Sequence, residues 1–244
     1  MKNTIYLAVA SLLFINCNGQ NKKSRPIGDE PVDFENFSFN TTEKDLFPDK
    51  NLSKSYKNFY EIKGFQDTQI VERDSTFSEP YSKTPKHIGW EYLQKSTSSI
   101  DTIAIFDEQI FQKICLATTL DGKVKAIGGV SDELTKEQSD DFLKKLTKKY
   151  GTPKKLTTSW SENFTTYEWT KSDRIIRYVP AFDDENSTLK IVVDEENKTF
   201  TEGEKEPHFE GYLFIINPEL KNETLTKMKT GDFVFLRTEE DGFD

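Results

Sequence analysis

From residue 59 onward, apolar and polar positions alternate along much of the chain, and a period of two predicts strands. Phe59 to Phe65 and Gln69 to Arg73 form two short runs around Gly64, and residues 74–87 read as a Ser-, Thr- and Pro-containing loop. His87 to Leu93 carries Trp90 and Tyr92 in a half-buried strand pattern, followed by Ile100 to Phe106. Ile110 to Thr119 and Lys123 to Val130 flank Leu120-Asp121-Gly122. Asp and Gly tolerate positive φ, so this is a strong hairpin signal. Phe164 to Thr170 is expected to pair with Arg174 to Phe182, and Ser187 to Val193 to run back beside them. Phe209 to Asn217 sets Tyr212, Phe214 and Ile216 on one face and Leu213 and Ile215 on the other. That pattern predicts a strand buried on both faces. Pro218 to Lys229 is expected to hold a short helix, Phe233 to Leu236 a last strand, and the charged residues 194–208 a loop.

The period changes to that of a helix over Lys136 to Tyr150, where Phe142, Leu143, Leu146 and Tyr150 fall on one stripe. Thr135 suits the N-cap, Gln138 stands where a capping box needs it, and Gly151 and Pro153 end the helix. Lys144, Lys145, Lys148 and Lys149 lie towards the negative end of the helix dipole and read as a solvated helix end. Strands before and after one helix predict an α+β fold: an antiparallel sheet of several hairpins, with the helix of about 136–150 packed on one face.

At the N-terminus, Lys2 precedes an apolar stretch from Ile5 to Ile15, too short to span a bilayer and suited to a signal peptide. Cys17 follows at once, and the chain then turns polar. The segment Leu13-Phe14-Ile15-Asn16-Cys17 resembles the lipobox of Gram-negative bacterial lipoproteins, with Phe14 in place of the usual Leu and Asn16 in place of the usual small residue. The resemblance covers the first twenty residues. It implies cleavage before Cys17, lipidation of its thiol and then of its freed amine, and a firm anchor in the cell envelope, the outer membrane first of all. Simple secretion or a periplasmic location is the alternative. The expected organisation is a signal peptide at 1–16, a tether and poorly ordered segment at 17–58, in which the partial alternation of Phe34, Phe37 and Phe39 suggests a short strand or docking segment, and one α+β domain at 59–244. A break near 196–208 is the one candidate subdivision.

Composition narrows the function classes. The net charge of -9 argues against a nucleic-acid partner, which needs a dense basic surface. Nineteen Phe, nine Tyr and three Trp argue against disorder despite a mean hydropathy of -0.69. Once Cys17 is lipidated only Cys115 remains, in an apolar strand run, so it reads as core and no intramolecular disulfide forms.

There is no Gly-rich phosphate loop, His-Glu-x-x-His, Gly-x-Ser-x-Gly or Cys-x-x-Cys. With only His87 and His208, each expected at a loop–strand junction, no metal or cofactor is expected and no catalytic residue is assigned. Asp183-Asp184-Glu185 and Asp194-Glu195-Glu196 have oxygen ligands for Ca²⁺ but lack the spacing of a known calcium loop. Trp90 and Trp169 sit in strand periods and read as core, which leaves Trp160 as the ligand-binding candidate. The stretch Lys136 to Val179, with Phe-Leu-x-x-Leu-x-x-x-Tyr-Gly-x-Pro and Tyr-x-Trp-x-x-x-Asp-Arg-Ile-Ile, resembles segments of uncharacterised exported bacterial domains and implies a fold type only. The leading expectation is a non-enzymatic, envelope-anchored module that binds a protein or a glycan. The alternative is a small hydrolase that uses carboxylates with His87 or His208.

Overall fold

Alternation along the chain produces fourteen strands in the computed structural model, which describes residues 24–64, 68–78, 83–96, 100–158, 164–186, 190–194, 198–228 and 230–241. In chain order these elements are β1 (Val32–Asp33), α1 (Glu43–Leu46), β2 (Phe59–Lys63), β3 (Thr68–Phe77), β4 (His87–Gln94), β5 (Ala104–Phe106), β6 (Gln109–Phe111), β7 (Lys113–Thr119) and β8 (Val124–Leu134). They continue with α2 (Lys136–Tyr150), β9 (Lys154–Thr157), β10 (Thr165–Thr170), β11 (Ile175–Asp183), β12 (Ile191–Asp194), β13 (Thr199–Glu202), β14 (His208–Ile216) and α3 (Lys221–Lys227). Nine strands form one antiparallel sheet in the order β2-β3-β4-β7-β8-β14-β11-β10-β9. β1 pairs parallel with β5, and β5 with β6, as a small second sheet, while β12 and β13 form a two-stranded sheet of their own.

The α+β expectation is overturned. The chain is mostly β, 47% strand against 21% helical, and is mainly a β-sandwich. The reason is that the large sheet is apolar on both faces and helix α2 covers only part of one. On the first face Tyr92, Leu116, Ile127, Ile176, Tyr178 and Leu213 meet Phe106 and Phe111 of the small sheet, Phe142 and Leu146 of α2, and Phe34, Phe37, Leu46 and Phe47. Phe47 stacks on Tyr92 with ring centroids 4.8 Å apart, and Phe142 sets its edge on Tyr178 at 5.1 Å. Residues 24–58, expected within the tether segment, pack their spaced Phe and Leu side chains onto this face.

On the second face Cys115, Ala126, Val179, Tyr212, Phe214 and Ile216 are covered by Leu225, Met228, Phe233 and Leu236. Small residues make room on this face: a Cβ on Gly128 would lie 2.5 Å from Phe214 Cδ1 on the paired strand β14. Arg177 on β11, 1% exposed, fastens the cover. Its guanidinium donates to Glu168 Oε2 at 2.8 Å, to the Leu236 carbonyl at 2.6 Å and to both Asp241 oxygens at 2.7 and 3.1 Å.

Helix α2 forms as its sequence predicts. Thr135 Oγ1 accepts from the Gln138 amide at 3.2 Å, and Gln138 Oε1 accepts from the Thr135 amide at 2.8 Å. Phe142 and Leu146 are buried, and Gly151 closes the helix at φ 90°. Four local expectations fail, the first being the loop expected at 74–87, where residues 74–77 continue strand β3, paired with β4. Gly231–Leu236 is a 3₁₀ turn and not a strand, because Phe233 and Leu236, three apart, bury on the same side of a three-residue turn. Within the stretch 194–208 expected as a loop, Thr199–Glu202 is strand β13, paired with β12. The strand beside β11, opposite β10, is β14, so Ile191–Asp194 runs outside the large sheet.

Candidate functional site

The polar chemistry gathers at the end of the sheet where β8, β11 and β14 meet the β12–β13 hairpin. Strand alternation turns His208, Glu210 and Tyr212 to one face. On the neighbouring strand, the register shifts between Phe209, opposite Leu134, and Gly211, opposite Ser131. Asp132 and Glu133 thus stand across from Glu210 alone, a β-bulge, and Glu133 takes a left-handed φ of 51°. Bulges re-aim side chains, and a non-glycine residue in this region is uncommon. Here the bulge brings one donor atom each of Asp132, His208 and Glu210 within 4.8 Å of one another.

Groups outside the three orient two of them. His208 Nδ1 lies 2.9 Å from the Glu206 carbonyl. A carbonyl only accepts, so Nδ1 carries the proton and the Nε2 lone pair is left free. Tyr212 donates its hydroxyl to Glu210 Oε2, and its ring stacks on Phe235. Burial pushes the Glu210 carboxyl up from its usual range, and the negative charges of Asp132 and Asp183 add to that. Burial pulls His208 down, but the Glu206 carbonyl and the carboxylates of Asp183, Glu185 and Glu210 outweigh it and hold the imidazole above its ordinary value. An open cleft of about 210 Å³, lined by Glu133, Thr135, Glu185, Glu206 and His208 among others, adjoins the cluster.

The same end of the molecule carries the hairpin. Lys190 bridges Glu185 at 2.9 Å and Glu206 at 3.2 Å, and Glu185 accepts from the Glu206 amide at 2.6 Å. These bonds fasten the base of the hairpin to the start of β14. Beyond them Ile191, Val192, Val193 and Phe200 are all between 54% and 72% exposed.

The residues singled out from sequence are dispersed. Cys17 and Trp160 lie outside the described residues. Cys115 is buried on the second face, where desolvation pushes its thiol well up, so it is no nucleophile. His87 Nε2 sits 2.8 Å from the Gly89 carbonyl, and its ring packs edge-on against Trp90 at 4.5 Å. Trp90 is half-buried, with the Arg73 guanidinium 4.6 Å over its ring, and Trp169 is buried. Asp183 and Asp184 accept from the amides of Glu185 at 2.7 Å and Asn186 at 2.9 Å, capping their own turn. Of the second acidic group, Asp194 closes β12, and Glu195 and Glu196 lie outside the described residues.

Asp132 and Glu210 escaped the sequence reading, because only the bulged register of two strands far apart in sequence brings them to His208. The exposed hairpin left a signal that was legible: Thr199-Phe200-Thr201 alternates within a charged stretch. No helix among the described residues is long and apolar enough to cross a membrane. No family model, curated protein or solved structure matches the chain.

Proposed function

We propose that this protein is an envelope-anchored, non-enzymatic binding module, held by a lipidated Cys17, that docks a protein partner on the β12–β13 hairpin. The carrying observation is the hairpin: four large apolar side chains, all more than half exposed, on a two-stranded sheet outside the main fold. Isolated two-stranded sheets are marginal in water, and clustered exposed apolar side chains mark interaction sites. Lys190, Lys198, Glu202 and Glu206 surround them, an apolar centre with a charged rim of both signs, as in protein interfaces.

A protein partner fits better than a glycan. Sugar faces need flat rings, whereas the hairpin offers three β-branched aliphatic side chains and one Phe, and its outer strand edges suit an added strand. Trp90 and Trp169, the described tryptophans, are occupied within the fold. The hydrolase alternative has His208 beside two carboxylates in its favour. Its cleft of about 210 Å³ falls below the roughly 300–1,000 Å³ that encloses a small-molecule substrate.

A photo-crosslinking amino acid at position 200 of the full chain, activated in intact cells, tests this reading. The expected result is one discrete adduct with another protein, lost when Val192→Asp is added. An adduct with lipid or polysaccharide alone, an adduct with a second copy alone, or no adduct overturns it.

A further inference from the structure

We propose that Asp132, His208 and Glu210 form a binding site for a divalent transition-metal ion of the Zn²⁺ class. One imidazole nitrogen and two carboxylate oxygens are a mixed donor set that suits Zn²⁺ and gives too few oxygens for Ca²⁺, which takes six to eight. Zinc–ligand bonds of about 2.0–2.2 Å place ligand atoms about 3.4 Å apart in a tetrahedron. The three donors already lie within 4.8 Å of one another, so closing on an ion shortens their separations by little more than an ångström. Three protein ligands leave a fourth position for an exchangeable ligand, and the cleft beside His208 is open to solvent.

The surroundings match those of a metal site. Ligating histidines donate their other ring N–H to a carbonyl or carboxylate, and ligating carboxylates are themselves hydrogen-bonded. His208 donates through Nδ1 to Glu206, which frees Nε2, and Tyr212 holds one oxygen of Glu210. Both holding groups lie outside the donor set. The β8 bulge, with Glu133 in a left-handed conformation, is what aims Asp132 at β14. Charge points the same way. Asp132, Asp183, Glu185 and Glu210 crowd the imidazole; Lys190 is engaged with Glu185 and Glu206, and Lys113 with Asp232 at 2.7 Å. A bound dication offsets this excess.

The site stands independently of hairpin docking and is tested with the metal alone. Metal-stripped full-length chain in detergent is titrated with ZnCl₂ by calorimetry, and the zinc shell is read by X-ray absorption. The expected result is saturable binding of one ion per chain with a nitrogen/oxygen shell. Asp132→Asn and His208→Gln abolish it, and Tyr212→Phe weakens it about tenfold or more. Glu219→Gln, an exposed carboxylate just past the far end of β14, leaves affinity within about twofold; circular dichroism checks that each variant is folded. Absence of saturable binding, a sulfur in the shell, or equal affinity in Asp132→Asn and the unaltered chain overturns the proposal.

Discussion

Glu91→Gln tests the polar interior of the second face. Glu91 on β4 is 3% exposed. Its carboxyl accepts from Thr76 Oγ1 at 3.2 Å and from Thr230 Oγ1 of the C-terminal cover. Burial pushes it up from 4.5 to about 7; Asp74 adds to the shift, and the Thr76 bond and Lys125 oppose it. Between these two values the folded chain keeps a proton that the unfolded chain has lost. Stability due to Glu91 therefore falls as pH rises from about 4.5 to about 7, and the full cost applies above that. At 1.36 kcal/mol per pH unit the gap is worth about 3 kcal/mol. Glutamine accepts one hydroxyl bond through its amide oxygen, donates its amide N–H to the other hydroxyl, and does not titrate. Urea unfolding of both chains from pH 4 to pH 8 should show near-equal stability at pH 4 and an advantage of about 3 kcal/mol for Glu91→Gln at pH 8. The difference between variants cancels every other titrating group that they share. A difference that stays flat with pH refutes the buried, proton-holding Glu91. A difference of opposite sign means that Glu91 is ionised and stabilised by Lys125.

Two further substitutions probe the other supports. Arg177→Ala leaves Glu168 buried without its guanidinium and releases Leu236 and Asp241, so it should cost about 3–5 kcal/mol in urea unfolding and speed amide exchange across Gly231–Leu236; a loss below about 1 kcal/mol contradicts the clamp. Cys17→Ser should move the protein from the carbonate-washed membrane pellet to the soluble fraction, and retention in the pellet contradicts the lipid anchor.

Features whose determinants lie close together in the chain were legible. Thr135, Gln138, Phe142, Leu146 and Gly151 specify α2 within seventeen residues, and Leu120-Asp121-Gly122 joins β7 to β8 as expected. The alternation of Tyr212, Leu213, Phe214 and Ile215 reported correctly that β14 is buried on both faces. Its place between β8 and β11 did not follow, because that pairing is non-local and leaves no periodic mark. The partial alternation of Phe34 and Phe37 pointed to a short strand or docking segment, but its partner was hidden for a related reason. β1 is two residues long, and its parallel partner β5 lies some seventy residues on, so tertiary packing rather than period orders that segment. The candidate site was legible in His208 alone, since Asp132 reaches it only through a bulge that no local pattern announces.

Hydrogen exchange at the hairpin tests the proposed docking function most directly. In the purified chain the amides of Ile191–Asp194 and Thr199–Glu202 should exchange fast, since their ladder is two strands wide and open to water. With detergent-solubilised envelope from the native cells added, exchange in these two strands should slow about tenfold or more while α2 stays unchanged. Equal rates in the hairpin with and without the envelope would contradict a partner docked on β12–β13.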